Sequence, residues 1–98
     1  MKVSVASLAI EELQLAAEFY AERGGNELGL AFVAEFERVA NLITLNPLMG
    51  SQFRKNRRFY PFRRFPYSVF YYISENDELR ILAVAHQSRR PNYWLQRS

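Results

Sequence analysis

Cysteine is absent from all 98 residues, so neither a disulfide nor a thiolate metal site can form. Histidine occurs once, as His86, and a single imidazole does not make a His-rich zinc or iron centre. No glycine-rich phosphate loop, ligand cluster or nucleotide motif occurs, and no cofactor is implied. Long apolar runs are missing as well. In the opening stretch MKVSVASLAIEELQLA, Glu11 and Glu12 interrupt before an apolar segment accumulates. Neither a signal peptide nor a membrane span is therefore expected, and a cytoplasmic setting is the default. The sequence shows no internal repeat and no low-complexity tract. Acidic residues are missing from one long region: none lies between Glu37 and Glu75, and none follows Glu78.

What is present suits one small domain spanning residues 1–98. Apolar residues make up 49% of the chain, including eight Phe, six Tyr and one Trp, which is ample for a core and argues against disorder. Charge is unevenly divided. Residues 1–48 carry seven acids and three bases, and residues 49–98 carry ten bases and three acids, so net charges of −4 and +7 meet in one domain. Such asymmetry suggests one half facing a polyanion and the other solvated or set against a basic partner.

The apolar spacing divides the chain into elements. Val3 and Val5 alternate with Lys2 and Ser4, which predicts a short first strand. Ser7 is a candidate cap for a helix running to about Arg23, which the GGN at Gly24–Asn26 stops. Asn26 is a candidate cap for a second helix, ended by Asn46-Pro47. On that helix Leu28, Phe32, Phe36, Val39 and Ile43 form one stripe roughly 80° wide, a core-facing pattern. The first helix has two apolar faces. Ile10, Leu13, Ala17 and Tyr20 share one, while Leu8, Leu15 and Phe19 gather about 150° away. Either the helix is sandwiched between its neighbour and a sheet, or its second face stays open as a groove for a partner helix.

Beyond Pro47 and Gly50 the pattern changes to period two. RRFYPFRRF, YSVFYYI and RILAVAH are rich in β-branched and aromatic residues, with SENDE turning between the last two. Pro61 makes the first of these an edge or bulged strand. Tyr71 and Tyr72 fall on opposite faces of one strand. The order is β-α-α-β-β-β: an α+β fold with a helical hairpin on a mainly antiparallel sheet.

Four segments in this order and spacing, EELQLAAEFY, GLAFVAEFERVANLITLNPLMG, RRFPYSVFYYI and ILAVAHQSRRPNYW, resemble the RelE/ParE superfamily of type II toxin–antitoxin toxins. Within it they are most similar to the ParE-like, plasmid-stabilisation branch. The resemblance covers nearly the whole chain. It implies a toxin that halts growth when free and is silenced by a cognate antitoxin, whose disordered arm folds over it in an assembly of heterotetramer size or larger. RelE-like members cut mRNA on the ribosome without a metal, whereas ParE-like members are associated with poisoning DNA gyrase. Ribonuclease members carry arginines where this chain has Ser68 and Gln87; a histidine after AVA and the RRPNYW that follows are instead common in ParE-like chains.

Three constellations carry candidate chemistry. Arg54, Lys55, Arg57, Arg58, Arg63 and Arg64 place six cations within eleven residues, interleaved with Phe59, Tyr60, Phe62 and Phe65. Period-two geometry puts Arg57, Phe59, Pro61, Arg63 and Phe65 on one face. Such a run steers a nucleic acid or the acidic segment of an antitoxin, or is simply a solvated, edge-protecting face. His86 is the natural proton carrier of a metal-free RNA cleavage, with Arg64 and Arg90 in the other acid, base and charge-stabilising roles. Its plain alternative is a residue that closes a strand and bonds a neighbouring backbone group. Tyr93 and Trp94 either fold back over the sheet or belong to a tail that meets the target, with Arg89, Arg90 and Arg97 supplying charge. Leu8, Leu15 and Phe19 are the candidate antitoxin contacts.

Three functions follow as expectations: a toxin acting by binding DNA gyrase, a ribosome-dependent mRNA endoribonuclease, and a basic nucleic-acid-binding module without poisoning activity.

Overall fold

The computed structural model describes residues 1–54, 56–89 and 97, and the sequence expectations for Lys55, Arg90, Tyr93 and Trp94 lie outside these. Strand β1 (Lys2–Val5) leads into helices α1 (Ser7–Gly24) and α2 (Asn26–Leu45). Strands β2 (Ser51–Phe53), β3 (Arg57–Pro61), β4 (Tyr67–Ile73) and β5 (Glu78–His86) follow. The sheet order is β1-β5-β4-β3-β2, with only the β1–β5 pair parallel. The expected α+β arrangement holds, with one more strand than the sequence pattern showed. At three residues, β2 is too short to display an alternation.

Both caps differ from expectation. Ala6 rather than Ser7 occupies the N-cap of α1, and Gly25 rather than Asn26 that of α2; neither is capped by a side chain. Gly25 joins the helices as a single residue at φ 86°, a conformation in which a side chain is strained, and its N–H bonds the Ala21 carbonyl at 2.9 Å. A hairpin this tight forces close approach. A Cβ on Gly29 would lie 2.8 Å from the Ala17 carbonyl oxygen and 2.9 Å from the Ala21 Cβ.

The stripe on α2 is buried as its spacing predicts. Phe32, Val39 and Ile43 are inaccessible and pack with Val69 and Tyr71 of β4 and with Leu79, Ile81 and Val84 of β5. Around Phe32 the rings of Tyr20, Phe62, Phe65 and Tyr67 converge with centroids 4.9–5.4 Å from it; Phe65 and Tyr67 meet it edge-on and Tyr20 stacks on it, geometries that add electrostatic attraction to the area buried. On α1 the buried residues are small, Ala9 and Ala16. Ile10, expected inward, is exposed, because the helix turns its alanines towards β5.

The expected strand through Phe65 stops at Pro61. Phe62 N–H bonds the Tyr67 carbonyl at 2.8 Å, and a tight turn over residues 63–66 follows. That turn buries Phe62 and Phe65 and leaves Arg63 and Arg64 exposed, with Arg64 at φ 68°. Pro61 does not mark an edge. Strand β3 is interior, and Pro61 is tolerated because β2 ends its pairing at Ser51↔Phe59. The bulge lies instead between β4 and β5 at Phe70/Tyr71, where Leu82 is the extra residue.

Candidate partner-binding surfaces

The helices cover one face of the sheet. Across the other, register sets Phe53, Arg57, Tyr72, Arg80 and Ser4 in one row, and Phe59, Phe70 and Ala83 in the next. In the first row the Arg57 guanidinium stacks on Tyr72 at 4.6 Å, and Arg80 donates to the Ser4 hydroxyl at 3.1 Å. The second row is apolar, with Phe59 and Phe70 centroids 5.6 Å apart. It opens into a pocket of about 290 Å³ lined by Phe59, Phe70, Ser68, His86, Gln87 and Arg89, among others.

The six-cation run does not form one face. Ending β3 at Pro61 separates Arg54, Arg57 and Arg58 at one end of the sheet from Arg63 and Arg64 at the other. Arg57 points to the open face and Arg58 to the helix side, where it bonds the Gly50 and Leu48 carbonyls at 2.8 and 3.3 Å. Arg57 also donates to the Asn56 side chain and the Arg97 carbonyl, while its Nε is buried with no hydrogen-bond partner among the described residues. Arg54 and Arg64 lie over Phe53 and Phe65, at 5.6 and 5.5 Å. Neither of the ion pairs Glu35–Arg38 and Glu12–Arg97 draws a cation from the run.

A second pocket, of about 270 Å³, runs between α1 and β5. It exists because β1 pairs with β5 only as far as Val5↔Ile81, so the outer edge of β5 beyond that point faces α1 rather than a strand. Glu12 serves that edge. Its carboxylate accepts from Val84 N–H at 3.1 Å, while Arg97 bonds both Glu12, at 2.9 Å, and the Leu82 carbonyl, at 3.1 Å. Together the two side chains offer the acceptor and donor that a further strand would supply, which suppresses edge pairing. Leu15 and Phe19 line the rim and are 65% and 45% exposed, and Leu8 on the same helix is 50% exposed. Of the two readings of α1, its second apolar face is the open one.

His86 and Arg89 line both pockets. Ser88 N–H donates to His86 Nδ1 at 3.0 Å, the Ser88 hydroxyl lies 2.7 Å from the same atom, and the ring packs edge-on against Tyr67 at 5.1 Å. With Nδ1 engaged by Ser88, Nε2 is the ring nitrogen left to the pockets. Tyr67 beside it has its hydroxyl pKa raised, chiefly by burial, with Tyr20 adding to the rise and the Arg89 charge opposing it. Ser68 is buried, and Gln87 bonds the Pro66 and Tyr67 carbonyls. The Gln87–Pro66 bond brings the turn carrying Arg63 and Arg64 to the same end of the sheet as His86 and Arg89.

Several working residues escape sequence reasoning. Glu35 on α2 accepts both Arg38 guanidinium bonds and the Arg63 backbone N–H, tying the helix to the β3–β4 turn. Its pKa is lowered, first by the Arg38 hydrogen bond. Buried Tyr71 anchors the α2–β2 loop. Glu12 figured in the sequence only as an acid interrupting an apolar run, and Tyr71 only as one of two tyrosines on opposite faces of a strand. Among the described residues there is no group of three potential metal ligands, and no helix is long and apolar enough to cross a membrane.

The fold and the sequence have known counterparts. A family model described as the ParE toxin of the parDE type II toxin–antitoxin system matches residues 3–91. A solved structure, the chromosomal ParDE toxin–antitoxin system from P. aeruginosa, superposes with a TM-score of 0.77 at 18% identity, covering 88% of this chain and 95% of that one. No curated protein matches at a significant level. By the family match over nearly its whole length, the chain belongs to the ParE toxin family of type II toxin–antitoxin systems.

Proposed function

We propose that the chain arrests growth by binding an essential target protein, DNA gyrase, rather than by cutting RNA, and that a cognate antitoxin neutralises it. One observation carries the binding reading. The only imidazole has its Nδ1 occupied by Ser88, and the two flanking positions where ribonuclease relatives use arginine hold Ser68, which is buried, and Gln87, whose amide is tied to Tyr67. Stabilising a phosphorane needs cations held in place around it, and the two positions that supply them in ribonuclease relatives are uncharged here. This arrangement favours docking over acid–base chemistry.

The exposed Leu8, Leu15 and Phe19 and the groove beside them support an antitoxin site on α1. A disordered arm that folds as an amphipathic helix would bury those side chains, with an acidic residue of its own set against Arg89 at the groove end.

Purified chain should inhibit gyrase supercoiling in vitro at micromolar concentration, and the product of the neighbouring open reading frame should relieve it. Absence of inhibition counts against the gyrase target. New cuts within codons of cellular mRNA, abolished by His86→Ala, would instead establish the ribonuclease reading with His86, Arg64 and Arg90.

A further inference from the structure

On the open face of the sheet a row of large side chains lies next to a row of small ones. Phe59, Phe70 and Ala83 pair across β3, β4 and β5, and two residues along each strand come Pro61, Ser68 and Ala85. The step down from the phenyl rings to the small row makes the pocket of about 290 Å³. Phe59 and Phe70, with centroids 5.6 Å apart, form one wall. His86, Gln87 and Arg89, at the end of β5 and just beyond it, form the opposite one. That second wall is held in place, since Gln87 N–H bonds the Pro66 carbonyl at 2.8 Å and Arg89 N–H bonds the His86 carbonyl at 3.0 Å.

The floor carries one polar group. Ser68 is 4% exposed, and its hydroxyl has no hydrogen-bond partner among the described residues. What access it keeps is to the pocket that it lines. Buried polar side chains are nearly always paired, so a hydroxyl kept unpaired on an apolar floor points to a partner that arrives with a ligand. A mostly apolar hollow with a few converging polar groups is also the usual form of a small-molecule site.

We propose that this hollow binds a small aromatic carboxylate, with its ring on the Ser68 floor against Phe59 and Phe70 and its acid group towards Arg89. The inference stands apart from the choice of toxin target. Three neighbouring strands place the outer two roughly 10 Å apart, which gives the small row the width of a one- or two-ring system. A ring seated there meets the phenyl wall at the offset or edge-on angles that aromatic groups favour. Arg89 is the one guanidinium among the described lining residues, and it pairs a single carboxylate through charge-assisted bonds. Arg63 and Arg64 stand at the same end of the sheet without lining the hollow, so no track of cations follows a phosphate chain through it.

The test is an amide-resolved NMR titration of the whole chain with 3-phenylpropionate, beside its neutral analogue 3-phenylpropanol. The expected result is saturable shifts at Ser68, Phe70, Ala85 and Gln87, with a Kd of about 1 mM or tighter, the range open to a ligand of about a dozen atoms. The alcohol should bind at least tenfold more weakly, and Arg89→Gln should weaken the acid by a similar factor. Ser68→Ala should weaken it about threefold and leave the unfolding midpoint unchanged, because its hydroxyl has no protein bond to lose. Absence of saturable shifts, shifts centred on other residues, or equal binding of acid and alcohol would overturn the site. So would a Ser68→Ala variant that loses stability without losing affinity, since the hydroxyl would then serve the fold. Tighter binding of adenosine monophosphate, or of a dipeptide ending in phenylalanine, would overturn the assignment in favour of a nucleotide or of another protein's chain end.

Discussion

The two helices of the hairpin have similar lengths and apolar contents but opposite loyalties. Helix α2 sends Phe32, Val39 and Ile43 fully into the core. Helix α1 buries only alanines completely enough to count as core, and holds Leu8, Leu15 and Phe19 outside. The small residues are what let α1 lie close to β5, and the tight Gly29 contact is what lets α2 lie close to α1. One helix therefore sends its large side chains into the core, whereas the other, Leu13 and Tyr20 apart, holds its large side chains outside.

Deleting a large ring from each helix gives the widest separation. Phe32→Ala should cost about 3–5 kcal/mol in chemical denaturation, because a buried aromatic leaves a cavity among four other rings. Phe19→Ala should cost under about 1 kcal/mol, since its ring is half exposed and meets Tyr20 edge-on and the Arg23 guanidinium near the surface. Comparable losses from both would mean that α1 is as much a core helix as α2.

Charge placed on the outer face of α1 comes next. Leu15→Lys or Phe19→Lys should weaken binding of the antitoxin by about 2 kcal/mol or more in calorimetry, the scale of an interface anchor. Thermal melting should barely move. Parallel loss of both properties would return that face to the core.

The contact between the helices is probed by Gly29→Ala. Its Cβ meets a backbone oxygen and a neighbouring Cβ, neither of which can swing aside, so a loss of about 1–3 kcal/mol is expected. A neutral or stabilising result would show that the hairpin can open without strain.

The smallest effect concerns pH, and it lies on α2. The pKa of Glu35 is held down in the fold by the Arg38 hydrogen bond, so its stabilising contribution is complete above the ordinary carboxylate range. That contribution is lost as pH falls through the lowered folded value. The stability difference between wild type and Glu35→Gln should therefore be about 1 kcal/mol at neutral pH and shrink as pH drops below about 4. A difference that stays constant, or grows on acidification, would remove Glu35 as the latch between α2 and the β3–β4 turn.

Much of the hairpin was legible in sequence because its signals are local. A stripe at helical spacing, two glycines and Asn46-Pro47 fix the extent of α2 to within a residue or so, and the aromatic alternation of YSVFYYI marks β4. The cation run misled for an equally local reason. Alternation assumes a continuing strand, whereas the bond from Phe62 to the Tyr67 carbonyl ends β3 at Pro61 and splits the run between the two ends of the sheet. The exposure of Leu45 and Leu48 at the end of α2 left little trace, since an exposed leucine reads like a buried one until the fold covers it or does not.

By itself the sequence determined the class of fold, the buried face of α2 and the family, all properties of spacing along the chain. Only the tertiary structure decided which face of α1 stays bare, that Glu12 and Arg97 close the edge of β5, and that Tyr71 and Arg58 hold the α2–β2 loop. Those depend on where β1 stops pairing and on which side chains meet across tens of residues. Helical and strand periodicity reports which face a residue occupies within its element, while the neighbour facing it is set by packing between elements.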